Sequence, residues 1–182
     1  MTPAGPAMVA VRTSLILAIA LTFQLGIVPR FGLFGVHGDL MLLVAIAAGV
    51  AAGPDRGATI AFAAGIAYDL NLQMPFGLSA LTYALVAYGV GSLQHSVLRA
   101  AWWIPVATAA AASVVGVILY GVFGTVVGED LVSLSLLKIA LVVGLLNVVA
   151  APVVVPAMRW ATGAADGART RAVYRGTRSP RG

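Results

Sequence analysis

The chain contains no cysteine, which excludes disulfides, thiol nucleophiles and cysteine-ligated metals together. Charge is almost as scarce, since 9% of the 182 residues are Asp, Glu, Lys or Arg. A soluble domain carries roughly 25%. Only two histidines occur, His37 and His95. HExxH, GxSxG, Walker A and a dinucleotide-type glycine fingerprint in strand context are missing as well. These gaps read as a protein with no enzymatic activity and no cofactor. No polar stretch is long enough to bury a core of its own, which leaves no room for a second folded domain.

What is present is apolar. Hydrophobic residues make up 60% of the chain, and the mean hydropathy is +1.00. The chain therefore reads as an integral membrane protein. Its net charge of +5 could suit nucleic acid or an anionic membrane surface, and the placement of the arginines favours the membrane. Residues 1–158 read as a single integral membrane domain, and residues 159–182 as a basic, disordered cytoplasmic tail. The apolar run after Arg12 is expected to be a retained first transmembrane helix rather than a signal peptide.

Hydropathy predicts an all-α, polytopic fold of six transmembrane helices. The first runs from Thr13 to Val28 and is closed by Pro29; the second and third run from Leu40 to Gly53 and from Gly57 to Leu70, with GPDRG as the turn between them. A fourth starts near Pro75 and ends near Leu93, a fifth begins after Arg99 with Trp102 and Trp103 and ends near Val127, and a sixth ends at Pro156. The second and third are short of the roughly 20 residues of a typical span. They are either short crossings of a thinned or closely packed region, or a re-entrant hairpin buried by other helices. Crossings are favoured, because a hairpin tip would carry Asp55 and Arg56 into hydrocarbon.

Six crossings put both termini on one side. With that side inside, Arg12, Arg56, Arg99, Arg159 and the tail arginines are cytoplasmic, while only Arg30 and Lys138 lie outside. That is the positive-inside pattern. Trp102, Trp103 and Trp160 then all fall at the inner interface.

Small residues recur every fourth position on three of these helices. The stripes are Ser14, Ala18, Thr22 and Gly26 on the first, Gly57, Ala61 and Gly65 on the third, and Thr108, Ala112 and Gly116 on the fifth. In lipid such stripes let helix backbones approach closely. The third ends in Asp69, and Gly57, Ala61, Gly65, Asp69, Pro75, Gly77 and Asn147 are candidates for a partner interface or for a structural role. Asp69 would accept hydrogen bonds from a partner or from the turn opening the fourth helix, or it would simply sit at the interface and tie down the loop from Asn71 to Pro75. Asn147, deep in the sixth helix, reads as interhelical glue rather than a ligand contact. Tyr68, Tyr83 and Tyr88 could line a pocket, although packing and interfacial anchoring are the commoner roles. His37 reads as a solvated loop residue, and Lys138 as a snorkelling side chain or a partner of Glu129 or Asp130.

Four segments carry a family resemblance: GDLMLL from Gly38 to Leu43, GPDRGA from Gly53 to Ala58, GIAYDL from Gly65 to Leu70, and PFGLSAL from Pro75 to Leu81. Their order and spacing resemble the signature of the rod shape-determining MreD family. The resemblance implies a non-enzymatic, multi-pass protein of the bacterial cytoplasmic membrane. Such a protein would act in the cell-elongation machinery of peptidoglycan synthesis with MreC, the actin-like MreB, RodA and a penicillin-binding transpeptidase. It also implies a fold similar to the substrate-binding membrane subunits of energy-coupling-factor vitamin transporters. Two functions are thus expected, a scaffold that binds MreC or, alternatively, a vitamin-binding transporter subunit. The few outer polar groups, chiefly Asp69, Asn71, Gln73, Gln24 and Lys138, favour the scaffold.

Overall fold

The computed structural model describes residues 5–30, 35–71, 76–94, 104–128 and 134–164. They form six α-helices: α1 (Pro6–Gly26), α2 (Leu40–Ala52), α3 (Pro54–Asp69), α4 (Leu78–Gln94), α5 (Ile104–Val126) and α6 (Leu134–Ala161). A single 3-10 turn, Val28–Arg30, follows α1. The stretches Pro6–Arg30, Val106–Val126 and Ser135–Ala161 are long and apolar enough to cross a membrane. Together with the composition, they make this an all-helical membrane protein.

The organising element is α2. Its sequence, LMLLVAIAAGVAA, is apolar on every side, and a helix without a polar face belongs inside protein. Every residue from Met41 to Val50 is buried, and α2 touches all five other helices. Around it, α3 packs along α4 and α5 along α6.

Several boundaries differ from the sequence expectation, each for a local reason. The α2–α3 turn is Gly53 alone, at φ +82°, instead of the five residues GPDRG. Only glycine adopts that conformation without strain. Pro54 then occupies the first turn of α3, where a missing N–H is harmless, and Asp55 follows where the helix dipole favours an acid. Pro6 plays the same part for α1, which starts well before Thr13. At the other end, α6 continues through Pro152 and Pro156 to Ala161. Prolines are tolerated in membrane helices because neighbouring groups satisfy the freed carbonyls. Arg159 and Trp160 are therefore helical rather than the start of a tail, and the rest of that tail from residue 165 lies outside the described residues.

One helix face is corrected outright. Ser14, Ala18, Thr22 and Gly26 point away from the bundle, and α1 buries Thr13, Ala20 and Gln24 instead. The polar Gln24 sets this rotation, since its amide must be turned inward to reach its partners. The small stripe of α5 does pack inward, with Ala112 and Gly116 buried.

The bundle has two distinct ends. At one, Gln24 of α1 meets the start of α2 and the end of α3. At the other, the Arg12 guanidinium lies over the Trp160 ring, 4.5 Å from its centroid, as a cation–π pair linking α1 to α6.

Candidate functional site

Among the described residues, a polar collar forms at the Gln24 end. Asp39 caps α2, its Oδ1 accepting the Leu42 N–H at 2.8 Å, and this satisfies one of the amides left unpaired at any helix start. The same carboxylate accepts the Tyr83 hydroxyl at 3.0 Å through Oδ1 and 2.8 Å through Oδ2. Tyr83 is buried in α4, so one acid ties two helices together. Burial pushes the Asp39 carboxyl above its ordinary value, while the Leu42 amide, the Tyr83 hydroxyl and the Met41 amide pull it back down. None of these groups is a cation.

Gln24 completes the collar. Its Oε1 accepts the Leu40 N–H at 2.7 Å, and its Nε2 donates to the Gly38 carbonyl at 3.1 Å and toward the Tyr68 hydroxyl at 3.5 Å. Both ends of the amide are used within the chain. Tyr68 and Tyr83 stack with ring centroids 6.4 Å apart and planes 20° apart. Beside them opens a cavity of about 360 Å³, bordered by Asp39, Tyr68, Tyr83 and Tyr120 and floored by apolar groups of α2, α5 and α6. Two of the three tyrosines singled out from the sequence thus do line a cavity. Tyr88 does not, lying exposed on the far side of α4. His37 stands exposed at the rim, and His95 lies outside the described residues.

Asp69 performs the same task for a different helix. It ends α3, yet it caps α4: Oδ2 accepts the N–H of Gly77 at 3.0 Å and of Ala80 at 3.2 Å, and Oδ1 that of Ser79 at 3.2 Å. An acid at a helix start also matches the positive end of the helix dipole. Gly77 makes the approach possible with φ +96°. Pro75 and Gln73 lie outside the described residues. Asn71 is exposed and donates back to the Ala67 carbonyl.

The stripe that leads to Asp69 faces its own chain. A Cβ on Gly57 would stand 2.7 Å from Gly49 Cα, and one on Gly65 would stand 2.7 Å from the Ser79 carbonyl carbon while overlapping Ala80 backbone. Ala61, between them, is fully buried. This face therefore holds α3 against α2 and α4.

Asn147 is buried in α6 and donates to Ser113 Oγ of α5 at 2.9 Å. Interhelical bonds of this kind average about 0.6 kcal/mol and reach about 1.7. Asn147→Leu is expected to destabilise within that range, and adding Ser113→Ala should cost less than the sum of the two single changes. A double-mutant cycle of thermal midpoints in detergent checks the coupling; strict additivity would mean the bond contributes nothing.

Sequence reasoning missed Asp39 and the bonding of Gln24. An acid directly before an apolar run is a helix-start signal and could have identified Asp39; nothing local marks Gln24. Among the described residues no three His, Asp or Glu side chains gather in a metal-binding arrangement. No curated protein and no solved structure matches the chain. The family model of the rod shape-determining protein MreD matches residues 7–160, from the first turn of α1 to the last turn of α6, and the chain belongs to that family.

Proposed function

We propose that the protein is a non-enzymatic scaffold of the cell-elongation machinery in the bacterial cytoplasmic membrane. It binds MreC and, indirectly, works with MreB, RodA and a penicillin-binding transpeptidase in organising peptidoglycan synthesis. Membership of MreD, a family of shape-determining structural proteins, gives the role in rod shape. The partner list rests on the family resemblance.

The proposed topology has six crossings and cytoplasmic termini. From Gln24 back to Arg12 along α1 is about 18 Å, and α2, starting beside Gln24, descends about 20 Å to Gly53. The α2–α3 turn thus reaches the depth of Arg12 and Trp160, as expected of two short crossings. Arg12, Arg56 and Arg159 gather at that end, which supports reading it as the cytoplasmic one.

The observation that carries the scaffold reading is where the small side chains lie. The α3 stripe is occupied by α2 and α4, whereas the α1 stripe of Ser14, Ala18, Thr22 and Gly26 faces outward, and a Cβ on Gly26 would meet nothing within 4 Å. Such a face lets a partner's membrane helix approach closely. Leucines at Ala18 and Gly26 are expected to reduce co-purifying MreC about tenfold in mild detergent, roughly 1.4 kcal/mol, with the bundle still folded. Undiminished MreC on the double variant would remove α1 as the face. Absence of MreC from the wild-type protein would remove the scaffold.

A second reading is the transporter subunit, favoured by the cavity beside Asp39. It differs in demanding a coupling module as the co-purifying partner.

A further inference from the structure

We propose that the cavity at the Gln24 end binds an organic cation, an alkylammonium or guanidinium group, with Asp39 as its counter-charge and the tyrosine rings as its walls. The site goes beyond the scaffold reading and does not depend on it, because MreC is placed on the opposite, lipid-facing side of α1.

The argument begins with Asp39. Asp39 is half-buried, and a carboxylate partly withdrawn from water is stabilised by a paired cation or by several hydrogen bonds. Among the described residues, its donors are the Leu42 and Met41 amides and the Tyr83 hydroxyl, all neutral. These three donors, the one Tyr83 proton being shared between Oδ1 and Oδ2, leave room for roughly one more on the about four lone-pair sites of a carboxylate. Asp39 also borders the cavity instead of lying sealed in the core, so an incoming group can reach it.

The walls select the same chemistry. Tyr68, Tyr83 and Tyr120 converge on the cavity from α3, α4 and α5. Aromatic faces attract a desolvated cation and offer nothing comparable to an anion. Gln24 holds the rim in place, with both ends of its amide bonded to the chain. Below the ring of tyrosines, Val117, Ile139 and Val143 supply an apolar floor suited to the carbon stem of an amine. At about 360 Å³ the cavity falls at the small end of ligand pockets, matching a compact amine or a lipid headgroup and not a macromolecule.

The ammonium group could come from a free solute or from the headgroup of an ethanolamine lipid, and the test separates these sources. The full-length protein in detergent is titrated with 1,5-diaminopentane, with agmatine and with neutral 1-pentanol, and thermal midpoints are recorded. It is also reconstituted in nanodiscs of phosphatidylglycerol with or without phosphatidylethanolamine. The expected result is a saturable rise with an amine, with agmatine or with the ethanolamine lipid, and none with 1-pentanol. Saturation by the soluble compounds assigns a free solute; a rise confined to the ethanolamine nanodiscs assigns the lipid. Asp39→Asn keeps an oxygen for the Leu42 amide, since asparagine caps helices as well as aspartate does, and it should weaken the response at least about tenfold. If Asp39→Asn does not survive purification, Tyr68→Leu serves instead, with an affinity loss of several-fold expected from the missing ring. The proposal is overturned if the wild-type protein answers none of the cations, if 1-pentanol acts equally well, or if Asp39→Asn responds like wild type.

Discussion

Asp69→Ala is expected to lower the thermal midpoint of the purified protein by roughly 10 °C. The estimate follows from what the carboxylate does. It accepts three backbone amides at the start of α4, those of Gly77, Ser79 and Ala80, and Ser79 and Ala80 are fully buried. Burial of Ser79, Ala80 and Asp69 keeps bulk water from replacing it there. A buried donor left unpaired costs about 1–3 kcal/mol, so losing the acceptor of at least two should cost about 3 kcal/mol or more. For a chain of this size each kcal/mol moves the midpoint by roughly 2–4 °C. Asp69→Asn keeps one oxygen acceptor but loses the charge facing the helix dipole, and about half the effect is expected. Midpoints from fluorescence-detected gel filtration of heated detergent samples give the comparison. If the alanine variant melts with the wild type, the amides of α4 have another acceptor and the cap is dispensable.

The same residue marks how far the sequence could be read. A lone acid at the end of a small-residue stripe, next to a polar loop, suggested bonds either to a partner or to the turn opening the fourth helix, beside the plainer reading of an interfacial acid tying down the loop; the structure gives it the amides of that turn. Asn147 was legible because a buried amide on a membrane helix needs a partner, and Ser113 supplies it. The inward face of α1 was not legible. In lipid, the outward side of a helix is as apolar as the inward side, so periodicity carries no preference, and the small stripe pointed the wrong way. What decides is one side chain, Gln24, whose partners Gly38, Leu40 and Tyr68 are distant in sequence. The single-residue turn at Gly53 was hidden differently. GPDRG has the composition of a loop, yet proline followed by an acid is also how a helix opens, and only the positive φ at Gly53 distinguishes the two. The cavity was half visible. Tyr68 and Tyr83 were named as residues that could line a pocket, with packing the commoner expectation, and Asp39 joins them only when α2 and α4 start side by side.

Gly65→Leu should abolish the folded protein, and even Gly65→Ala should be costly. A Cβ at this position would stand 2.7 Å from the Ser79 carbonyl carbon and would overlap the Ala80 amide nitrogen and Cα. These are backbone atoms of the helix whose start Asp69 caps, so no rotamer change relieves the overlap. The only relief is to part α3 from α4, which draws Asp69 away from its donors and adds the loss of the cap to the clash. The combined cost should exceed the roughly 1–3 kcal/mol typical of overpacking against side chains that can move. At equal expression the leucine variant is expected to give at least about tenfold less monodisperse protein after gel filtration, a loss of roughly 1.4 kcal/mol or more, with the alanine variant intermediate. A missing partner on this variant would then report an unfolded bundle and say nothing of an interface. Ala18 and Gly26, where leucine meets open space or lipid, test the interface instead. A second substitution separates a backbone clash from a side-chain one. Ala80→Gly removes the Ala80 methyl but leaves its nitrogen and Cα in place, so it should not rescue Gly65→Ala. Rescue would mean that the helices meet through their side chains and that α3 lies farther from α4 than the overlap at Gly65 requires.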